Sequence, residues 1–81
     1  MNNELATSIQ DEVFDFLVTS PTPQQIIDFH ASDAAQARLR YLLDANRNST
    51  LTDNEGAELE EASQVNHFFM QLKIRAHRVL K

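Results

Sequence analysis

Residues 52–81 read TDNEGAELEEASQVNHFFMQLKIRAHRVLK, and this stretch decides the fold. Its first four residues, Thr52-Asp53-Asn54-Glu55, form a capping box: the Thr52 hydroxyl accepts the Glu55 N–H while Glu55 reaches back to the Thr52 N–H. No proline follows, so nothing stops the helix before the chain ends. Asp53, Glu55, Glu58, Glu60 and Glu61 crowd its start and Lys73, Arg75, Arg78 and Lys81 its end, the arrangement that the helix macrodipole stabilises. The reading predicts one helix over about 53–80, roughly 42 Å long at 1.5 Å per residue. A compact chain of this length is only about 30 Å across, so one end is expected to project.

Along that helix Ala62, Val65, Phe69, Leu72, Ala76 and Val79 alternate spacings of three and four, the seam of a helix packed at a shallow angle on a neighbour. Phe68 and Leu80 widen the seam. Met70 and Ile74, with Leu59 nearby, form a second apolar face. Two apolar faces predict two packing partners. The candidate interface is therefore Ala62, Val65, Phe69, Met70, Leu72, Ile74, Ala76 and Val79, with a second copy or another helical protein on one side.

Capping signals upstream of Thr52 delimit three more helices. Asn3–Thr19 places Leu5, Ile9, Val13 and Phe16 or Leu17 on one face and Glu4, Gln10, Asp11 and Asp15 on the other. Ser20-Pro21 stops it, because residues before proline avoid helical geometry. Thr22-Pro23-Gln24-Gln25 is a second capping box with proline at the first helical position, opening a short helix over 23–30 that buries Ile26, Ile27 and Phe29. Ser32 caps a helix over 33–45 with the stripe Ala35, Leu39, Leu42 and Leu43. The expected fold is all-α, four helices in one domain spanning 1–81.

The chain has 81 residues and no cysteine. A domain this short buries only about 60% of the surface its unfolded form exposes, and without disulfide staples oligomerisation is the common remedy. The longest apolar runs, such as Phe16-Leu17-Val18 and Phe68-Phe69-Met70, are three residues long. With no basic leader before them, they predict neither a signal peptide nor a membrane span, so the expected location is the cytoplasm. Net charge is −5. Residues 1–37 carry Glu4, Asp11, Glu12, Asp15, Asp28 and Asp33 with no Lys or Arg, which disfavours nucleic acid as a partner for that half.

Chemistry-bearing patterns are sparse. Asp44 to Glu55 has the outline of a calcium loop, with Asp44, Asn46, Asn48, Thr50 and Glu55 as candidate ligands. Ser49 stands where the sharp turn of such a loop calls for glycine, and Glu55 is already used in the capping box. Ile26 to Leu43 has helix-turn-helix proportions, with Gln36, Arg38 and Arg40 on the second helix, but Asp33 opens that helix. His30, His67 and His77 lack metal-ligand spacing. Gly56 is the only glycine, which rules out a glycine-rich phosphate loop. No nucleophile, base and oxyanion donor are grouped, so the expectation is no enzyme, no cofactor and no metal.

Ser20-Pro21-Thr22-Pro23-Gln24-Gln25-Ile26-Ile27, Arg38-Leu39-Arg40-Tyr41-Leu42-Leu43, Asn46-Arg47-Asn48, Leu51-Thr52 and Leu72-Lys73-Ile74-Arg75-Ala76 together resemble small cyanobacterial-type helical proteins of uncharacterised function. The asparagine-arginine loop, Leu-Thr cap, acidic turn and basic tail are similar to those of antitoxin-like partners of toxins or nucleases. The resemblance runs from Ser20 onward and carries over no functional residue. Three functions are thus expected of the sequence: a self-associating helical interaction module, an antitoxin-like partner, or a weak calcium-binding helix-loop-helix.

Overall fold

The computed structural model describes residues 8–81. Four helices follow one another: α1 (Ile9–Leu17), α2 (Pro23–Asp28), α3 (Asp33–Arg47) and α4 (Asp53–Val79). Among the described residues there is no strand, and no helix is long and apolar enough to cross a membrane.

Local chemistry sets the helix starts. Thr22 and Thr52 each form the complete capping box, and Ser32 accepts the Ala35 N–H. The first helix departs from expectation. Ser8 sits in extended backbone and accepts the Asp11 N–H, so it caps a helix beginning at Ile9 instead of lying inside one. The part of the expected helix before Ser8, including Glu4 and Leu5, lies outside the described residues. At the other end α3 runs two residues past the expected stop. It closes with Ser49 in the left-handed region (φ 59°), the Thr50 N–H on the Ala45 carbonyl and the Ser49 N–H on the Asn46 carbonyl, a Schellman motif.

Helix α4 spans the long dimension of a flat molecule measuring 44 × 30 × 17 Å. On it α1 runs in the same direction, since Gln10 meets Glu61 and Phe16 meets Phe69. Helix α3 runs oppositely, pairing Arg38 with Glu58 and, further along α3, Tyr41 with the earlier Glu55. Helix α2 lies against the C-terminal half of α4, while α1 and α3 also touch each other.

Val13, Val65 and Phe69 are the centre of the core, with Ile9, Phe16, Leu17, Ile26, Phe29 and Leu72 packed around them. Phe16 stacks on Phe29 with ring centroids 4.4 Å apart, and Phe69 meets both rings edge-on, at 6.2 and 5.2 Å. These are the offset and edge geometries that the aromatic quadrupole favours. Ala35, Leu42 and Ala45 are the buried positions of α3. The expected α3 stripe is thereby corrected at Leu43, which faces outward, because the spacings of seven and three from Ala35 to Leu42 to Ala45 define a different face. Gln10, expected on the solvent side of α1, is also buried, its amide donating to Glu61 across the α1–α4 seam.

Candidate functional site

Helix α4 presents two unlike faces, and the structure divides the expected interface between them. Ala62, Val65, Phe69 and Ala76 are buried in the chain's own core, and Leu72 packs against it. The expectation that this seam meets a partner is corrected there. The cause is packing: α1 and α2 lie on the seam and take the area that a partner would need. Three of the expected interface residues stay outside: Met70 at 55%, Ile74 at 47% and Val79 at 69% exposure.

The expected projecting end is shorter than helix length alone implies. Buried positions run from Leu59 to Ala76, so α4 overhangs by little more than its last turn. The three shorter helices are spread along it instead of gathered at one end.

Met70 and Ile74 sit one turn apart on an exposed flank of α4. Leu43 of α3, which shares a cleft with Met70, is 45% exposed. The groove between α3 and α4 opens into a cleft of about 230 Å³ lined by Leu39, Leu43, Ser63, Asn66, His67 and Met70. Asn66 and Met70 continue into a neighbouring cleft of about 280 Å³ toward Phe29, His30 and Lys73. An exposed apolar face bordered by an apolar groove is the kind of surface that marks an interaction site. A smaller outward pair, Phe14 of α1 and Phe68 of α4, lies on other faces of the two helices.

The charged and phenolic groups between α3 and the start of α4 are committed within the chain. Arg38 holds Glu58 through two hydrogen bonds of 3.0 and 2.7 Å, and the Glu58 bond raises the Arg38 pKa above its ordinary value. Arg38 also lies over the Tyr41 ring, 5.2 Å from its centroid. The Tyr41 hydroxyl donates to Glu55 at 2.9 Å, which raises the tyrosine pKa. Glu55 is held below the usual carboxylate value, first by the Thr52 backbone N–H and then by the Tyr41 hydroxyl.

The two residue patterns with chemical potential also have partners within the chain. For the calcium loop, Asp44 lies inside α3 and pairs with Arg47 at 3.0 Å. Glu55 has one oxygen on the Thr52 N–H and the other on Tyr41. The Thr50 hydroxyl donates to the Ala45 carbonyl, and Asn48 is the C-cap of α3. Asp44, Asn46, Asn48, Thr50 and Glu55 are thus distributed over a helix end, a cap and a second helix start. Among the described residues no three His, Cys, Asp or Glu side chains converge to hold a metal ion. For the helix-turn-helix outline, Gln36 donates to the Ala31 carbonyl and Arg38 is paired, which leaves Arg40.

Two long-range contacts carry no sequence signal. The Lys73 ammonium, at the start of the basic tail, donates to the carbonyls of Ile27 and Phe29 at 3.1 and 2.7 Å. Glu12 of α1 accepts from the backbone N–H and the hydroxyl of Ser32, the residue that caps α3. The partners lie 44–46 and 20 residues apart, beyond any periodicity. Comparison with family models, with curated proteins and with solved structures finds no match.

Proposed function

We propose that this chain is a helical protein-interaction module that carries no catalytic chemistry of its own and self-associates through the outer face of α4. The observation that supports this reading is the exposed group Met70, Ile74 and Leu43 beside an apolar groove, on a domain only 17 Å thick. So flat a domain leaves the back of its longest helix uncovered, and a second copy removes that apolar area from water at no cost in chain length. Cytoplasmic location belongs to the same proposal.

Sedimentation equilibrium tests it. The expected mass at tens of micromolar, on the order of ordinary dimer affinities, is twice the 9.2 kDa of one chain. The variant carrying both Met70→Glu and Ile74→Glu sediments as a folded monomer. A folded wild-type monomer at high micromolar concentration overturns the reading.

A second reading has its own support. Asp11, Asp15, Asp28 and Asp33 are exposed, and the chain has no Lys or Arg before Arg38, so this part offers an acidic surface to a basic protein. In that reading the module masks a toxin or nuclease, as the resemblance implies. Isolation from the source cell should then recover a basic nuclease whose activity the purified chain suppresses; recovery of none rejects it.

A further inference from the structure

We infer that the second copy lies antiparallel along α4, with Ile74 of each chain seated in the cleft beside Ser63 of the other and Glu60 of each chain paired with Arg78 of the other. This inference rests on the self-association proposed above and specifies its geometry.

The charges on the outer face carry the first argument. Of the acids at the start of α4, Glu55 and Glu58 are engaged with Tyr41 and Arg38, and Glu61 accepts from Gln10. Of the bases at its end, Lys73 is engaged with the α2 carbonyls. Glu60 and Arg78 are both exposed, and among the described residues neither makes an ion pair with the other groups of the chain. Their separation is about five helical turns at 3.6 residues per turn, so both project on the same side of α4, flanking the line of Met70 and Ile74. A two-fold axis crossing α4 near Phe69, midway between them, sets Glu60 of one copy against Arg78 of the other, twice. A parallel pairing sets Glu60 against Glu60 and Arg78 against Arg78, like charges in both places.

Size carries the second argument. Along the outer face the small residue is Ser63 and the protruding apolar ones are Met70 and Ile74. The same two-fold axis brings Ile74 of the partner copy within about one residue rise, ~1.5 Å along the axis, of Ser63, where the cleft between α3 and α4 opens onto Leu39 and Leu43. The branched side chain then fills apolar space that Ser63 leaves open, and Met70 meets its own counterpart near the axis. The interface is isologous, as a closed dimer requires.

The chain has no cysteine, so a spin label at Ala57→Cys, an exposed position on α4, reports one distance per dimer. The expected label separation is on the order of 40 Å for the antiparallel pair, against on the order of 20 Å for a parallel one. Arg78→Glu weakens dimerisation about tenfold, and adding Glu60→Arg to it restores the wild-type affinity. The short distance, or a double variant as weak as the single, overturns the antiparallel arrangement while the dimer itself stands. A wild-type monomer overturns the self-association and this geometry together.

Discussion

Lys73 of α4 donates to the Phe29 carbonyl at 2.7 Å, and so a basic-tail side chain closes the C-terminal end of α2. A six-residue helix is too short to be stable alone. Its last carbonyls need donors, and the long helix supplies a charged one. Lys73 also lies 5.7 Å from the Phe69 ring centroid, which ties the cap to the aromatic core.

Replacing Lys73 by Met keeps the length and the packing of the stem but removes the donor. The expected loss is about 1–2 kcal/mol, toward the lower end for hydrogen bonds to a charged group because the site is half-exposed. Urea unfolding of the two proteins checks it, with the midpoint lowered and the slope unchanged.

Phe69 touches both other rings of the aromatic group and is 5% exposed. Phe69→Ala removes that contact and leaves a cavity at the junction of α1, α2 and α4, at a cost of about 3–5 kcal/mol. A domain of this size has a total stability of about 4–12 kcal/mol. The variant is expected to lose most of its cooperative thermal transition by circular dichroism, whereas Phe14→Ala, at an exposed position, changes the melting temperature little.

Ser49 occupies the left-handed region at φ 59°, where a Cβ is unfavourable. Ser49→Gly keeps the Schellman closure of α3 and relieves that cost. The expected gain is about 0.5–1 kcal/mol after the glycine's extra unfolded-state entropy. A higher melting temperature for Ser49→Gly, with none for Ser49→Ala, is the outcome to look for.

The Glu55 carboxylate is held below its ordinary value of 4.5 by the Thr52 N–H and the Tyr41 hydroxyl. A depressed carboxylate contributes stability that is complete above its unfolded value and is lost as pH falls through the folded one. The wild type should therefore lose stability on acidification from about pH 5 downward, more steeply than Glu55→Gln over the same range. At the alkaline end the raised Tyr41 pKa has the opposite sign: its bond to Glu55 is complete below the ordinary value of 10.0 and is lost as pH rises through the higher folded value. Melting temperatures of the two proteins across the acid range test the Glu55 statement.

The readable parts of this fold are those decided within one helical turn. Thr22, Ser32 and Thr52 are legible because each bonds a backbone N–H three residues away, and Pro21 marks a stop through its own ring. Ser8 obeys the same rule, but the apolar periodicity of the sequence continues upstream through Leu5 and gives no sign of a start there. Periodicity also shows that α4 has two apolar faces. It does not rank them, because Met70 and Phe69 are equally apolar neighbours and only their direction differs.

The helical class, the starts of α2, α3 and α4 and the charge gradient along α4 are legible in the sequence, since caps, proline and the macrodipole act between residues close in the chain. Tertiary structure alone decided that Phe69 faces the core and Met70 the outside, that Lys73 caps α2 and that Glu12 ties α1 to Ser32. Those outcomes depend on which of several apolar or polar partners wins a place against α4. That competition is settled by shape and burial between residues 20 or more positions apart, where local pattern carries no information.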